Sequence, residues 1–120
     1  MTPWLDVCRG AVEDLREVFA SMPTREEREP VVGDGAGGDE TTAVDAAAEA
    51  AILTRLERLH ADEGIDFHLV SEELGERLYG MSPTTRVVVD PIDGSVNAKR
   101  LIPFFSVSIA VAEGATMKDV

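Results

Sequence analysis

"VVVDPIDGSVNAKR", residues 87–100, is the stretch on which the reading of this chain turns. Three valines run directly into two aspartates, Asp90 and Asp93, with Pro91 between them and Gly94 behind. A continuous β-branched run reads as a central strand buried on both faces. Such runs ordinarily end in neutral turn residues, and this one delivers two negative charges three residues apart. Pro91 has no N–H to give a neighbouring strand, so the backbone is expected to leave the sheet there and free the Ile92 carbonyl. Asp93-Gly94-Ser95 then reads as a helix start, where backbone N–H groups offer an anion site and Gly94 permits close approach.

A second strand ends in the same way. "DFHLVSEE" predicts a strand over 66–71 that runs into Glu72 and Glu73. If the two strands are neighbours, three or four carboxylates converge at one sheet edge. Two unit charges ~4 Å apart repel by about 4 kcal/mol at an effective dielectric near 20. Several such pairs would consume most of the ~5–15 kcal/mol that holds a small domain folded. The acids must splay into water, share protons or share a cation. Carboxylates without Cys or His point to a hard cation, Mg²⁺ or Mn²⁺, and such a cation beside a phosphate cradle is what metal-assisted phosphoryl transfer requires. Taken alone, Asp-Pro-x-Asp-Gly is a plain turn more often than a catalytic site. An EF-hand register fails, because counting from Asp90 puts Ile92 and Ser95 where an acid or Asn and a glycine belong.

The rest of the chain supplies the frame. Residues 4–22 predict a helix, with Cys8, Ala11, Val12, Leu15, Val18, Phe19 and Met22 on one stripe and Pro23 as its stop. "TREEREP" reads as helix end or loop. Residues 31–42, "VVGDGAGGDETT", read as a flexible glycine-rich loop. Gly33-x-Gly35-x-x-Gly38 imitates a dinucleotide fingerprint, but only Val31 and Val32 precede it where a strand is needed. Residues 43–61 predict the clearest helix, with Val44, Ala48, Ile52 (or Ala51), Leu56 and Leu59 buried, Thr41 or Thr42 as cap and Asp45 in the first turn. Asp45 and Glu49 share its face. "GERLYGMSPTT" reads as a loop or short helix, and "FSVSIAVAEG" as a half-buried strand with Val107, Ile109 and Val111 on one side. His60 and His68, lacking a second His or a Cys nearby, read as structural. Trp4, Phe19, Phe104 and Phe105 read as core or interface, and Lys99 and Arg100 as a solvated basic pair.

Composition bounds the function. The 120 residues carry 23 acids against 11 bases, a formal charge of −12 and one cysteine. The chain is long enough for one domain with a core, and its 44% apolar content is ordinary for a globular protein. The charge argues against nucleic-acid binding, which needs a basic footprint. No apolar run is long enough to span a membrane, and a secretory signal is not expected from "MTPWLDVCRG". A lone Cys8 fits a reducing, cytoplasmic setting.

The motifs together resemble the inositol monophosphatase family. "VVVDPIDGSVNAKRLIPFFSVSIAVAEG" (87–114) is similar to its Asp-Pro-[Ile/Leu]-Asp-Gly-[Thr/Ser] signature with the Asn, Pro-Phe-Phe and Ser-x-Ala elements that follow. "LVSEELG" (69–75) resembles its Glu-Glu element, and "GDETTAVDAAAEAAI" its Thr-x-x-Asp-x-x-x-Glu helix. "NAKR" followed by "IPFFS" is similar to the microbial branch with inositol monophosphatase and fructose-1,6-bisphosphatase activities. The resemblance implies an α+β fold: the N-terminal part of an α-β-α-β-α layered sandwich, with two helices on a largely antiparallel sheet.

It also implies roles. Glu72, Asp90 and the Ile92 carbonyl would hold one Mg²⁺ (or Mn²⁺), and Asp90 would bridge to a second that Asp93 also binds. Ser95 and Asp45 would orient and deprotonate the attacking water, and the Gly94 and Ser95 N–H groups would hold the phosphate. Glu73 would stand behind these ligands or hold a third, weak metal. The implied partner is a small phosphorylated substrate, with a homodimer in full-length members. Family members run to roughly twice this length, and their later half supplies another metal-binding aspartate in a Trp-Asp-x-Ala motif. Residues 31–42 also lack the lysine that some relatives carry there. The chain is therefore read as one C-terminally truncated domain over 1–120, with an incomplete second metal site, an uncovered sheet face, and self-association or low stability expected when it stands alone.

Overall fold

The computed structural model describes residues 3–114 and 116–120. Helix α1 (Pro3–Ser21) follows the predicted stripe, but the face it buries is centred on Val7, Ala11 and Leu15, while Val12 stays 38% exposed. "TREEREP" contains a single helical turn, α2 (Arg25–Arg28), with Thr24 as its N-cap.

The glycine-rich segment is not a structureless loop. β1 (Val31–Asp34) and β2 (Glu40–Thr42) pair antiparallel as a hairpin. Helix α3 (Ala43–Glu63) starts immediately after it and ends where Gly64 turns left-handed, at φ 67°. Its buried residues are Val44, Asp45, Ala48, Ile52, Leu56 and Leu59: the predicted stripe plus one carboxylate.

β3 (Phe67–Ser71) is followed by β4 (Gly75–Tyr79), where a loop or short helix was expected. β5 (Arg86–Asp93), α4 (Ser95–Lys99) and β6 (Ser106–Ala112) complete the main elements, with a 3₁₀ turn over Met117–Asp119. The main sheet has the order β4-β3-β5-β6; β3 and β5 run parallel and the other two pairings are antiparallel. The fold is thus the expected α+β layering, with α1 and α3 packed on one face of a largely antiparallel sheet and joined to it through Phe67, Leu69, Val87 and Val89.

Two expectations about β5 change. The strand is not buried on both faces: Val87 and Val89 are inside while Val88 is 48% exposed. The opposite face of the sheet is open there, and Leu78, opposite His68 in the register, is 64% exposed on it. Nor does Pro91 end the strand. A bulge interrupts the ladder between Asp90 and Asp93, and pairing resumes at Asp93↔Ser106. The bulge accommodates the missing Pro91 N–H and re-aims the two aspartates.

The aromatic residues divide. Phe67 is fully buried, stacked on Tyr79 at 4.6 Å and met edge-on by Trp4 at 5.8 Å, and Phe19 packs against Phe105. Phe104 is 81% exposed and belongs to no core. His60 and His68 have structural partners: the Ile65 carbonyl and Asp66 for the first, Glu76 for the second. Among the described residues no helix is long and apolar enough to cross a membrane.

Candidate active site

Asp45 is placed by the helix it begins. Its Oδ2 accepts from the Thr42 N–H at 3.1 Å and the Thr42 hydroxyl at 2.7 Å, which fixes the carboxylate in the first turn of α3. The other oxygen, Oδ1, accepts from Ser95 Oγ at 2.9 Å. Ser95 Oγ also lies 3.1 Å from the Ile92 carbonyl. A buried acid, 2% exposed, and a hydroxyl from 50 residues away are therefore a hydrogen-bonded pair at the junction of α3 and α4. Gly94 is the N-cap of α4 with φ 98°, and a Cβ there would stand 3.1 Å from the Phe105 Cβ, so both the turn and the approach demand glycine.

Glu72 and Asp90 leave adjacent parallel strands at the same end. Ser71 pairs with Val89, and the Glu72 N–H donates to the Val89 carbonyl at 3.2 Å. Their carboxyl groups face each other. The Glu72 carboxyl is pushed up to about 7, first by sharing a hydrogen bond with Asp90, then by burial and by the charges of Asp90, Glu73 and Asp39. Two carboxyl groups can share a hydrogen bond only while one of them keeps its proton. With both groups ionised neither can donate, and Asp90 Oδ1 is buried with no hydrogen-bond partner at all. Such an atom is costly to bury unless something positive meets it.

Glu73 is held by Thr41 Oγ1 at 2.5 Å, and burial is the main cause raising its carboxyl above the ordinary range. The hairpin turn closes over this element: the Ala36 and Gly37 N–H groups donate to the Glu73 and Glu72 carbonyls at 3.0 and 3.1 Å. Gly35 permits this, since a Cβ there would come within 2.8 Å of Glu73 Oε2. Behind the site, Ser71 Oγ donates to Glu49 at 2.7 Å, tying β3 to α3.

The structure thus unites Asp45, Ser95 and the Ile92 carbonyl in one group and Glu72 with Asp90 in another. Glu73 feels the charges of both Asp45 and Asp90. Asp93 stands apart: it is exposed and lines a separate hollow with Gly94, Asn97, Phe104 and Phe105. Among the described residues no three Asp, Glu, His or Cys groups already form a ligand cluster. Sequence reasoning read Thr41 only as a possible helix cap and missed its bond to Glu73, and it missed Ser71 and the docked turn. Ser71 carried a signal, since it immediately precedes Glu72 on the buried side of an alternating strand; the other two depend on contacts between distant segments.

The donors fit a hard cation. They are carboxylate and carbonyl oxygens without nitrogen or sulfur, and one buried oxygen lacks any partner. A pH prediction follows for the metal-free chain. Glu72 binds its proton more tightly folded than unfolded, so its contribution to stability is complete below the ordinary glutamate range near 4.5 and is lost as pH rises through about 7. Urea midpoints in EDTA should fall across that window, and Mg²⁺ should flatten the fall. A midpoint that rises with pH there in Glu72's presence but not in a Glu72→Gln variant would overturn the assignment.

Comparison with known proteins bears on the family and the fold. The inositol monophosphatase family model matches residues 4–118. The chain is 36% identical over 115 residues to a fructose-1,6-bisphosphatase/inositol-1-monophosphatase of Archaeoglobus fulgidus, covering 96% of this chain and 42% of that protein. It is 40% identical over 107 residues to a bifunctional NADP phosphatase/NAD kinase of Methanocaldococcus jannaschii, covering 89% of this chain and 18% of that one. The solved structure of an inositol monophosphatase–fructose 1,6-bisphosphatase superposes with a TM-score of 0.73 at 33% identity, over 92% of this chain and 40% of that one. The chain spans about two fifths of the length of its bisphosphatase/monophosphatase relatives. With the Asp-Pro-Ile-Asp-Gly-Ser turn, the Glu72–Asp90 pair and the Asp45 helix arranged in this fold, the chain belongs to the inositol monophosphatase family.

Proposed function

We propose that this chain carries the cation- and phosphate-binding half of a Mg²⁺-dependent phosphatase that hydrolyses a small phosphate monoester, an inositol phosphate or a related sugar phosphate. The observation that supports it most is the buried, unpartnered Asp90 Oδ1 facing a Glu72 carboxyl forced up to about 7. Glu72, Asp90 and the Ile92 carbonyl would hold Mg²⁺ (or Mn²⁺), with Asp93 at a second position. The bound cation supplies charge neutralisation at the phosphoryl group and acidifies a water. Ser95 Oγ and Asp45, already hydrogen-bonded to each other, would orient the attacking water and take up its proton. The Gly94 and Ser95 N–H groups receive the phosphate, and Glu73, held by Thr41, supports the ligands from behind.

The names of the relatives define the substrates to compare: inositol 1-phosphate, fructose 1,6-bisphosphate and NADP. A nucleotide 3′-phosphate belongs in the same panel. A second reading, a metal- and phosphate-binding fragment without turnover, is favoured by the chain's span of about two fifths of its relatives. Release of phosphate from inositol 1-phosphate by the 120-residue chain with Mg²⁺ excludes the fragment reading. Tight Mg²⁺ binding without turnover supports it, and absence of Mg²⁺ binding removes both.

Ser95→Ala tests the water-handling role. In any form that turns over, it should slow the chemical step about a hundredfold, within the range for a lost proton-transfer group, while Mg²⁺ affinity stays within about threefold. Calorimetric titration beside single-turnover kinetics separates the two. Collapse of metal affinity would assign Ser95 to the metal instead.

A further inference from the structure

Among the described residues Arg28 is the only basic side chain that is buried, at 8% exposure. No carboxylate pairs with it there. Its guanidinium instead spends its fork on three carbonyls: Nε donates to Met22 at 2.6 Å, Nη2 to Phe19 at 3.1 Å and Nη1 to Ala98 at 2.9 Å. The first two carbonyls lie at the C-terminal end of α1 and the third in the last turn of α4, where helix carbonyls carry partial negative charge. The cation thus joins the negative ends of two helices.

A second route runs from the same side chain to the other end of α4. The guanidinium lies 5.4 Å over the Phe19 ring, Phe19 packs edge-on against Phe105 at 4.8 Å, and Phe105 is the residue against which Gly94 fits. Helix α4 has five residues, too few to hold its own geometry. Its placement must come from outside it.

We propose that Arg28 is a positioning residue: by fixing α4 against the end of α1 it sets Ser95 Oγ on Asp45 and fixes the Gly94–Ser95 backbone. Its functional consequence rests on the phosphatase reading above; its geometry does not. Arg28→Lys keeps the charge and loses the planar fork, and Arg28→Met keeps the apolar stem alone.

Amide hydrogen exchange on the 120-residue chain distinguishes local placement from general stability. In Arg28→Met the Ala98 amide, bonded to the Gly94 carbonyl at 3.1 Å, should exchange about tenfold faster, while buried amides of α3 and β3 change by less than about twofold. Arg28→Lys should recover about a third of that protection. Inorganic phosphate, titrated in the presence of Mg²⁺, should bind about tenfold more weakly to the Met variant. Equal acceleration across α3, β3 and α4, or unchanged α4 exchange, overturns the proposal. If the Met variant does not fold, the Lys variant carries the same comparison. If the wild-type chain binds no phosphate with Mg²⁺, the phosphatase reading fails, and the exchange pattern still decides whether Arg28 places α4.

Discussion

Asp90→Asn is expected to weaken Mg²⁺ binding at least about a hundredfold, and turnover with it, while making the metal-free chain more stable. The two effects have one cause. Asp90 Oδ1 is buried without a partner, and the Asp90 carboxylate holds the Glu72 carboxyl up to about 7. In the absence of a cation the pair shares a hydrogen bond only while Glu72 keeps its proton, at the cost of burying it, and sets like charges against each other once both are ionised. Replacing Asp90 by the neutral amide removes that repulsion and supplies an N–H₂ donor to Glu72, so Glu72 should titrate nearer its ordinary range. Groups behind a ligand already cost 10–100-fold in metal affinity when removed, so a direct anionic ligand should cost about that upper figure or more. Calorimetric Mg²⁺ titration gives the first number, and urea denaturation in EDTA at pH 7 gives the sign of the second. Unchanged Mg²⁺ affinity would move the site away from Asp90. A less stable metal-free variant would mean that the two carboxyls do not repel in the folded chain.

What could be read in advance depended on whether the information was local. Helix α3 was legible because its apolar residues recur at helical spacing, while its end at Glu63, two residues beyond the predicted stop, came from the left-handed turn at Gly64 seen only in the structure. The convergence of Glu72 and Asp90 was legible as a condition, that the two strands be neighbours, and the parallel β3–β5 register meets it. The hairpin at 31–42 was not, because glycines leave no alternating side chains to read; its turn is held by bonds to the Glu72 and Glu73 carbonyls, a tertiary event. β4 was missed because "GERLY" shows no buried face of its own and is a strand through its pairing with β3. Val88 shows a different limit: a run of β-branched residues is the same string whether one face of the sheet is covered or both. The Ser95–Asp45 pair spans 50 residues, so spacing alone could not join them; the family resemblance supplied the pairing. Arg28 sat in "TREEREP" as one charge among several, and only the fold reveals that it is buried.

Phe67→Ala should cost about 3–5 kcal/mol, a large share of the ~5–15 kcal/mol available to a domain of this size. Phe67 is fully buried, and its ring is enclosed by Tyr79 in a stack, Trp4 edge-on, and His60 edge-on at 6.5 Å. Truncation leaves a ring-sized void between helix α1 and the sheet, and no neighbour can fill it without abandoning one of those contacts. The position also bears on function, because Phe67 begins the strand whose far end delivers Glu72. If β3 is anchored mainly through this ring, Phe67→Ala should lower the urea midpoint strongly while Mg²⁺ affinity of the remaining folded fraction stays within about threefold, since Ser71, bonded to Glu49, and the Glu72 N–H, bonded to Val89, still fix the other end. Phe67→Leu, which refills much of the void, should recover more than half of the loss. A loss below about 1 kcal/mol for the alanine variant would mean that the aromatic cluster relaxes into the space, and that β3 is positioned from its carboxylate end alone.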